Sequence, residues 1–232
     1  MKEKKPSVKR LVQMGLKFFY KSGKGSYKDP EAYDYIVEKL LGRKKIAQDL
    51  VDTIQKLVPL VDKQKPPKIL DLATGTGVIS LELAKRGYNT HATDISKDMI
   101  ALLLKKALNS SKLISLNEVD LNDKLPYLNN HFSVITTAHA NRYITNMDNF
   151  LNEVYRVLQV DGYFVWVLVA SEIIPWKRNL GILQPTTCYS LKKHMISHGF
   201  KNIQQRVLKV FIRQTLKGVP FYTIPAYLIG QK

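Results

Sequence analysis

The chain has 232 residues, of which 45% are hydrophobic and 24% charged, so it can form one α/β domain with a sizeable buried core. Its 36 lysines and arginines exceed its 19 acidic residues, and the net charge of +17 favours contact with polyanions or, equally, reflects only a solvated lysine-rich surface. Cys188 is the single cysteine, which excludes an internal disulfide and a cysteine-based metal cluster; no metal site is predicted.

Residues 1–60 are predicted to form a basic arm and a helical cap. The apolar segment behind the basic N-terminus is interrupted by Gln13 and Lys17, which is a poor pattern for a secretory signal peptide. A short amphipathic helix is expected over Leu11–Tyr20, and apolar residues at three- and four-residue steps indicate a longer helix between Tyr35 and Leu60. The longest apolar run of the chain, YFVWVLVA, is too short to span a bilayer, so we expect a cytoplasmic protein that is soluble or at most peripheral.

Residues 61–232 are predicted to form one structural unit in which strands and helices alternate. The strand-like segments are Lys68–Leu72, Asn89–Thr93, Ser115–Val119, Phe132–Ala138 and Gly162–Val169. The helical patterns between them are Val78–Arg86, Lys97–Leu108 and Asp148–Leu158. Such alternation implies right-handed crossovers and a doubly wound, mostly parallel sheet. Two further strand-like segments, Asn202–Thr215 and Pro220–Lys232, predict an antiparallel hairpin that closes the edge of the sheet.

The segment ILDLATGTGVIS, residues 69–80, joins the first strand to the next helix through a glycine-rich loop. Gly75 and Gly77 allow a tight turn and close approach of the backbone to a ligand, and the start of the helix offers unpaired N–H groups. A dinucleotide site would carry a third glycine where Ser80 stands, and Asp71 would repel a pyrophosphate. Both features make a nicotinamide-dependent dehydrogenase the weakest interpretation of this loop.

Three acids at successive strand ends favour a nucleoside that carries an amino acid instead of phosphates. Asp71 can balance an ammonium group directly or through water, and the helix end can take a carboxylate. Asp94 lies 23 residues after Asp71, close to the roughly 20 that place an acid on a ribose in a βαβ unit. Asp120, after the third strand, can face an adenine amino group. The alternative is that these acids are only helix caps and solvated loop residues.

At this point the sequence resembles the class I S-adenosylmethionine-dependent methyltransferases. ILDLATGTG resembles their first motif, ATDISKDMI their acidic second-strand motif, and the stretch from Val119 to Val167 their adenine-contacting acid and following strands. The resemblance covers residues 68–168, with weaker agreement at HGFKNI. Ala73 replaces the first glycine of the loop, but the same Ala-Thr-Gly-Thr-Gly run occurs in a subgroup resembling quinone-biosynthesis C-methyltransferases. The turn before the fifth strand, QVDG, also departs from the usual Pro-Gly-Gly.

This resemblance implies a Rossmann-like, mostly parallel seven-stranded sheet with the C-terminal antiparallel hairpin and a helical cap, and S-adenosylmethionine as cofactor. Asp94 is then expected to hold both ribose hydroxyls, and Ile95 or Met99 to line the adenine pocket. The residues implied in cofactor binding are Asp71, Ala73, Thr74, Gly75, Gly77, Asp94, Ile95, Met99, Asp120, Leu121 and Thr137.

Methyl transfer from a sulfonium is an in-line displacement that needs alignment and a dry pocket. His139, just after the fourth strand, is the candidate base because its pKa is naturally near neutrality; its alternative role is to shape the loop. The candidate residues on the acceptor side are Tyr33, Arg142, Tyr143 and Trp176, each with packing or surface exposure as its alternative. Trp176 falls in a long segment after the fifth strand that suits a lid.

The acceptor is left open by the sequence. The Asn/Asp-Pro-Pro-aromatic motif of base-amine methyltransferases is missing after the fourth strand, where the chain reads TTAHANRY. A small-molecule acceptor, apolar or quinone-like, is the leading hypothesis. The basic charge leaves an RNA methyltransferase or RNA-binding protein as a second, and a non-catalytic, cofactor-binding partner subunit is a third. Basic amphipathic segments serve membranes as readily as nucleic acid, and the oligomeric state is not predicted.

Overall fold

This computed structural model describes residues 30–35, 43–111, 114–173, 188–208, 212–216 and 219–232. The expected helix at Leu11–Tyr20 and the candidate Trp176 lie outside the described residues, as does the side chain of Arg142.

Helices and strands alternate along the described chain as the sequence predicts. The helices are α1 (Pro30–Tyr35), α2 (Arg43–Leu57), α3 (Val78–Arg86), α4 (Lys97–Asn109), α5 (Met147–Val157) and α6 (Cys188–Ser197), with a 3₁₀ turn at Asn141–Tyr143. The strands are β1 (Lys68–Leu72), β2 (Asn89–Asp94), β3 (Ile114–Glu118), β4 (Phe132–Ala138), β5 (Leu158–Ile173), β6 (Lys201–Val207), β7 (Ile212–Leu216) and β8 (Val219–Gln231).

The strands form one mixed sheet in the order β3-β2-β1-β4-β5-β8-β6, so the predicted doubly wound fold is confirmed. Strands β1 to β5 pair in parallel, whereas β8 runs antiparallel between β5 and β6. The tail differs in one respect: the segment expected as a single strand over Asn202–Thr215 contains both β6 and β7. Strand β7 is a short addition that pairs with β8 alone.

Side chains alternate between the two faces of the sheet, and each face is buried by helices. On one face Leu70 and Leu72 share a core with apolar residues of α5 and α6 and with the ring of Trp166. On the other face Ile69 packs with apolar residues of α2 and α3. Asp71 follows Ile69 by two residues and therefore points to the same face as Ile69, at the end of β1 where α3 begins.

The helix ends near the carboxyl edge of the sheet differ in how they are capped. Ser96 caps α4 by accepting a hydrogen bond from the Met99 amide, and Asn146 caps α5 in the same way through the Asn149 amide. Helix α3 begins at Gly77, in the left-handed conformation, and glycine has no side chain with which to cap it. The N–H of Ser80, in the first turn, contacts the Asp71 carboxylate, and those of Val78 and Ile79 before it can face a ligand or water. None of the helices in the described ranges is long and apolar enough to cross a membrane.

Candidate cofactor site

The tips of β1 and β2 are joined by backbone hydrogen bonds at the carboxyl edge of the sheet. The amide of Thr74, in the loop after β1, donates to the Thr93 carbonyl at 2.8 Å. The amide of Gly75 donates to Oδ2 of Asp94, also at 2.8 Å. The next strand is joined in turn, because the Val119 amide donates to the Asp94 carbonyl at 3.0 Å. The acids predicted at successive strand ends are therefore brought to one edge of the sheet.

Asp71 stabilises the glycine-rich loop through hydrogen bonds made in the protein interior. Its side chain is 1% exposed, and its Oδ2 accepts hydrogen bonds from Thr74 Oγ1 at 2.7 Å and from Ser80 Oγ at 2.6 Å. Burial raises the pKa of Asp71 to about 6, although the two hydroxyl donors act in the opposite direction. Ser80, which argued against a dinucleotide site, thus serves as a partner of Asp71. Contact between Asp71 and an ammonium group stays a prediction.

The loop backbone adopts left-handed conformations that explain its small residues. The φ angles are 53° at Ala73, 58° at Gly75 and 83° at Gly77. A Cβ built on Gly77 would lie 2.1 Å from Cδ1 of Leu103, so only glycine lets α3 approach α4 this closely. At Gly75 the added Cβ would lie 3.7 Å from Cε1 of Tyr33, a normal contact. The departure at Ala73 is accommodated in the left-handed region without a glycine.

Asp94 is almost buried and still able to bind hydroxyl groups. It is 8% exposed, and its Oδ1 accepts the Ser96 amide at 3.0 Å while Oδ2 accepts the Gly75 amide. Burial raises the pKa of this carboxyl, and the N–H donors around it, including that of Ile95, oppose the rise. An ionised carboxylate has about four acceptor positions, so the N–H donors around Asp94 leave acceptor capacity for a hydroxyl of a ligand.

The donors and acceptors of this edge fit the cofactor that the sequence implies. The start of α3 offers the N–H groups of Val78 and Ile79 and a partial positive charge to a carboxylate. Asp94 offers acceptors to ribose hydroxyls. Ile95, beside it, is 50% exposed and presents an apolar surface on which an adenine can lie. Met99 is fully buried, which leaves Ile95 as the better placed of the two apolar candidates.

Helix α1 is held over the glycine-rich loop by contacts that sequence reasoning missed. Tyr33, predicted on the acceptor side, lies against Gly75. Lys106 of α4 pairs with Asp34 of α1 at 2.8 Å and also donates to the carbonyl of Thr76 at 3.2 Å. No spacing in the sequence signals this contact, because Lys106 and Asp34 are 72 residues apart.

Beyond β3, Asp120 is fixed by its own loop. Its Oδ1 accepts hydrogen bonds from the backbone amide of Asn122 at 2.9 Å and from Nδ2 of Asn122 at 2.8 Å. Leu121 between them is buried. Asn122 was not predicted from the sequence, yet it also contacts Tyr143 and Thr145 in the loop beyond β4.

The loop after β4 contains His139 and Tyr143, which the sequence predicts to act on the acceptor. His139 has a φ of 58°, and its amide donates to the Val167 carbonyl at 3.0 Å, so its backbone is fixed by β5. The half-exposed Tyr143 ends the 3₁₀ turn that follows. Thr137, predicted in cofactor binding, is instead buried within the sheet, where its hydroxyl donates to the Leu72 carbonyl at 2.9 Å. Its part in cofactor binding stays a prediction.

Residues 70–166 match a family model described as a methyltransferase domain. The ubiquinone/menaquinone biosynthesis C-methyltransferase UbiE of Neisseria meningitidis is 34% identical over 113 residues, 47% of this chain and 45% of that protein. UbiE of Rickettsia typhi is 35% identical over 104 residues, 42% of each chain. Residues 70–166 are therefore similar to a methyltransferase domain, in agreement with the resemblance of the sequence to the class I S-adenosylmethionine-dependent enzymes. The match spans less than half the length of these curated relatives.

Solved structures share the fold of this methyltransferase domain. A S-adenosylmethionine-dependent methyltransferase from Aquifex aeolicus superposes with a TM-score of 0.60 at 18% identity, covering 87% of this chain and 98% of that one. The phospholethanolamine N-methyltransferase 2 of Haemonchus contortus superposes with a TM-score of 0.63 at 12% identity, covering 80% of this chain and 52% of that one. That structure is a complex with S-adenosylhomocysteine. These two proteins, one dependent on S-adenosylmethionine and one bound to S-adenosylhomocysteine, share the fold of this chain.

Proposed function

We propose that this protein transfers a methyl group from S-adenosylmethionine to a small-molecule acceptor by in-line displacement. The observation that carries the proposal is the junction of Gly75 and Asp94. This junction brings the start of α3 close to a carboxylate at one edge of the sheet, and we propose that this carboxylate binds the ribose. When bound, the cofactor supplies an electrophilic methyl group, so the chain has to provide alignment and exclusion of water.

The described residues divide that work. Asp94 would hold the ribose hydroxyls, the start of α3 would take the carboxylate, and Asp120 would face the adenine amino group. Asp71 would stabilise the loop that presents these groups through its bonds to Thr74 and Ser80. Tyr33 and helix α1 would cover the loop and keep water away from the cofactor.

The acceptor would enter beside the loop that follows β4. His139 is held there in a left-handed conformation. We infer that its imidazole accepts the acceptor's proton when that proton must leave early. Arg142, Tyr143 and Trp176 are proposed as acceptor-side residues from the sequence.

We propose an apolar, quinone-like acceptor, because the relatives that match this domain are C-methyltransferases of quinone biosynthesis. The site of action is proposed to be cytoplasmic, which the lone Cys188 supports. An RNA acceptor was an alternative suggested by the basic charge, and a non-catalytic partner subunit was a further one. The relatives and structures compared above lend neither of them support.

The acceptor class can be tested with a cofactor carrying a radiolabelled methyl group. The protein would be incubated with this cofactor and with cell extract fractionated into RNA, lipid-soluble molecules and water-soluble metabolites. The proposal predicts protein-dependent label in a small-molecule fraction, foremost the lipid-soluble one, and none with the Asp94→Asn variant. Label confined to RNA would replace the proposed acceptor with nucleic acid. No label in any fraction would contradict the enzymatic function.

A further inference from the structure

Asn122 uses every hydrogen-bonding group of its side chain to connect two loops of the site. Its Nδ2 donates to Oδ1 of Asp120 at 2.8 Å and to the Tyr143 carbonyl at 3.0 Å. Its Oδ1 accepts from the Thr145 amide at 2.7 Å and from the Thr145 hydroxyl at 2.8 Å. The loop after β3 and the loop after β4 therefore meet at a single amide group.

The chemistry of the partners fixes the orientation of this amide. The Tyr143 carbonyl can only accept and the Thr145 backbone amide can only donate, so Nδ2 and Oδ1 cannot be exchanged. A carboxylate at this position would keep the acceptor for Thr145, but it would face the carboxylate of Asp120 and the Tyr143 carbonyl without a proton to share. An alanine would remove both sets of bonds.

The backbone of Asn122 adds two further connections. Its amide donates to the same Oδ1 of Asp120 at 2.9 Å. Its carbonyl accepts from Nδ2 of Asn149, in the first turn of α5, at 3.1 Å. The two loops are thus tied both to each other and to the helix that follows them.

We propose that Asn122 is a positioning residue that couples the cofactor side of the site to the acceptor side. It holds the Asp120 carboxylate on the adenine side and, through Tyr143 and Thr145, fixes the loop that begins at His139. Binding of the cofactor against Asp120 then tightens the acceptor-side loop. This proposal rests on the proposed function, since it takes Asp120 as a cofactor contact.

The test compares wild-type protein with Asn122→Asp, Asn122→Ala and the control Asn129→Ala. Asn129 lies in the same connection between β3 and β4, but near its β4 end, where it accepts a bond from Arg156 of α5 at 2.9 Å. It is a partner in none of the hydrogen bonds described above for Asn122. Calorimetry with S-adenosylhomocysteine measures affinity. Amide hydrogen exchange at residues 141–146, with and without that ligand, measures coupling. Thermal unfolding of each variant confirms that it is folded.

In the wild-type and Asn129→Ala proteins the ligand should slow exchange at Thr145. In both Asn122 variants this slowing should disappear. The affinity for S-adenosylhomocysteine should fall about tenfold, because the Asp120 carboxylate loses the bond from Nδ2 that positions it. Asn122→Asp, which keeps the acceptor for Thr145, should retain slow exchange there without ligand, whereas Asn122→Ala should not. A purely structural role would speed exchange with and without ligand and keep the ligand-induced slowing.

The outcomes separate this proposal from the proposed function. If wild-type protein does not bind S-adenosylhomocysteine, the cofactor assignment fails and this coupling fails with it. If wild-type protein binds but the Asn122 variants bind equally well or keep the ligand-induced slowing at Thr145, only the role of Asn122 is overturned. A variant that does not fold leaves the other variant and the wild-type exchange pattern to decide between these results.

Discussion

The backbone amide of Gly75 donates a 2.8 Å hydrogen bond to the carboxylate of Asp94, 19 residues further along the chain. This bond joins the glycine-rich loop after β1 to the tip of β2 and aligns two motifs that the sequence presents separately. A carboxylate held by two backbone amides is rigid and needs little reorganisation to receive a ligand. The predictions below follow from this loop and the groups around it.

Gly77 and Gly75 should respond differently to alanine, although both have positive φ angles. The Gly77→Ala change forces a methyl group to within 2.1 Å of Leu103 and adds backbone strain, so we expect a loss of about 3 kcal/mol in the free energy of unfolding. Gly75→Ala meets only normal contacts and should cost about 1 kcal/mol. Urea denaturation of both variants measures the difference, and equal losses would contradict the proposed packing of α3 on α4.

Asp71 should make stability depend on pH. Its folded-state pKa, about 6, lies above its ordinary value of 3.8, so the folded state binds this proton more tightly than the unfolded state. The contribution is therefore full below the ordinary pKa and is lost as pH rises through the folded-state value. From about pH 4 to about pH 7, the stability of wild-type protein relative to Asp71→Asn should fall by about 2–3 kcal/mol. Denaturation curves of both proteins, measured at several pH values across this range, should show this change in their difference in stability. The same difference at every pH would contradict the raised pKa of Asp71.

Lys106 should contribute more than its neighbour Lys105 to holding helix α1 in place. The Lys106–Asp34 pair has side chains 22% and 20% exposed, whereas the Lys105–Glu31 pair is 66% and 74% exposed. Exposed pairs contribute little to stability, so Lys105→Met should have almost no effect. Lys106→Met should release α1, speed amide exchange over residues 30–35 and weaken binding of S-adenosylhomocysteine. The same exchange rates in both variants would argue against Lys106 as the residue that holds α1 in place.

His139 should be needed for turnover and not for cofactor binding. Asparagine tolerates the left-handed conformation, so His139→Asn removes the imidazole without straining the loop. We expect unchanged affinity for S-adenosylhomocysteine. The rate of methyl transfer should fall by about 100-fold or more, which is the effect typical of a lost general base. Transfer assays with the acceptor identified by labelling provide the measurement. A full rate in this variant would assign His139 to the shape of the loop.

Much of the fold follows from local patterns in the sequence. β1, α3 and β4 have the predicted bounds, because apolar periodicity and glycine or capping residues define their ends. The division of Asn202–Thr215 into β6 and β7 was missed, since both parts have strand-like composition and only their pairing with β8 separates them. Pairing of this kind is a tertiary property.

The residues of the candidate site likewise fall into those that the sequence predicts and those that only the tertiary structure reveals. Asp71, Gly75 and Asp94 could be selected from the sequence, because a strand end and a glycine-rich turn place them at the edge of a parallel sheet. Lys106 and Asn122 could not be selected. Lys106 and its partner Asp34 are 72 residues apart in the sequence. Asn122 is 21 residues from Tyr143 and 23 residues from Thr145. Only the packing of α1 on α4, and of one loop on another, creates these contacts.

Binding of S-adenosylhomocysteine to wild-type protein, Asp94→Asn and Glu118→Gln, measured by titration calorimetry, tests the central claim most directly. Glu118 is the matched control, because it pairs in register with Asp94 on β3 but is half-exposed and contacts Lys97. We predict that wild type and Glu118→Gln bind alike and that Asp94→Asn binds at least about 100-fold more weakly, through loss of two charge-assisted bonds to the ribose. Equal affinity in all three proteins, or no binding by wild type, would contradict the account.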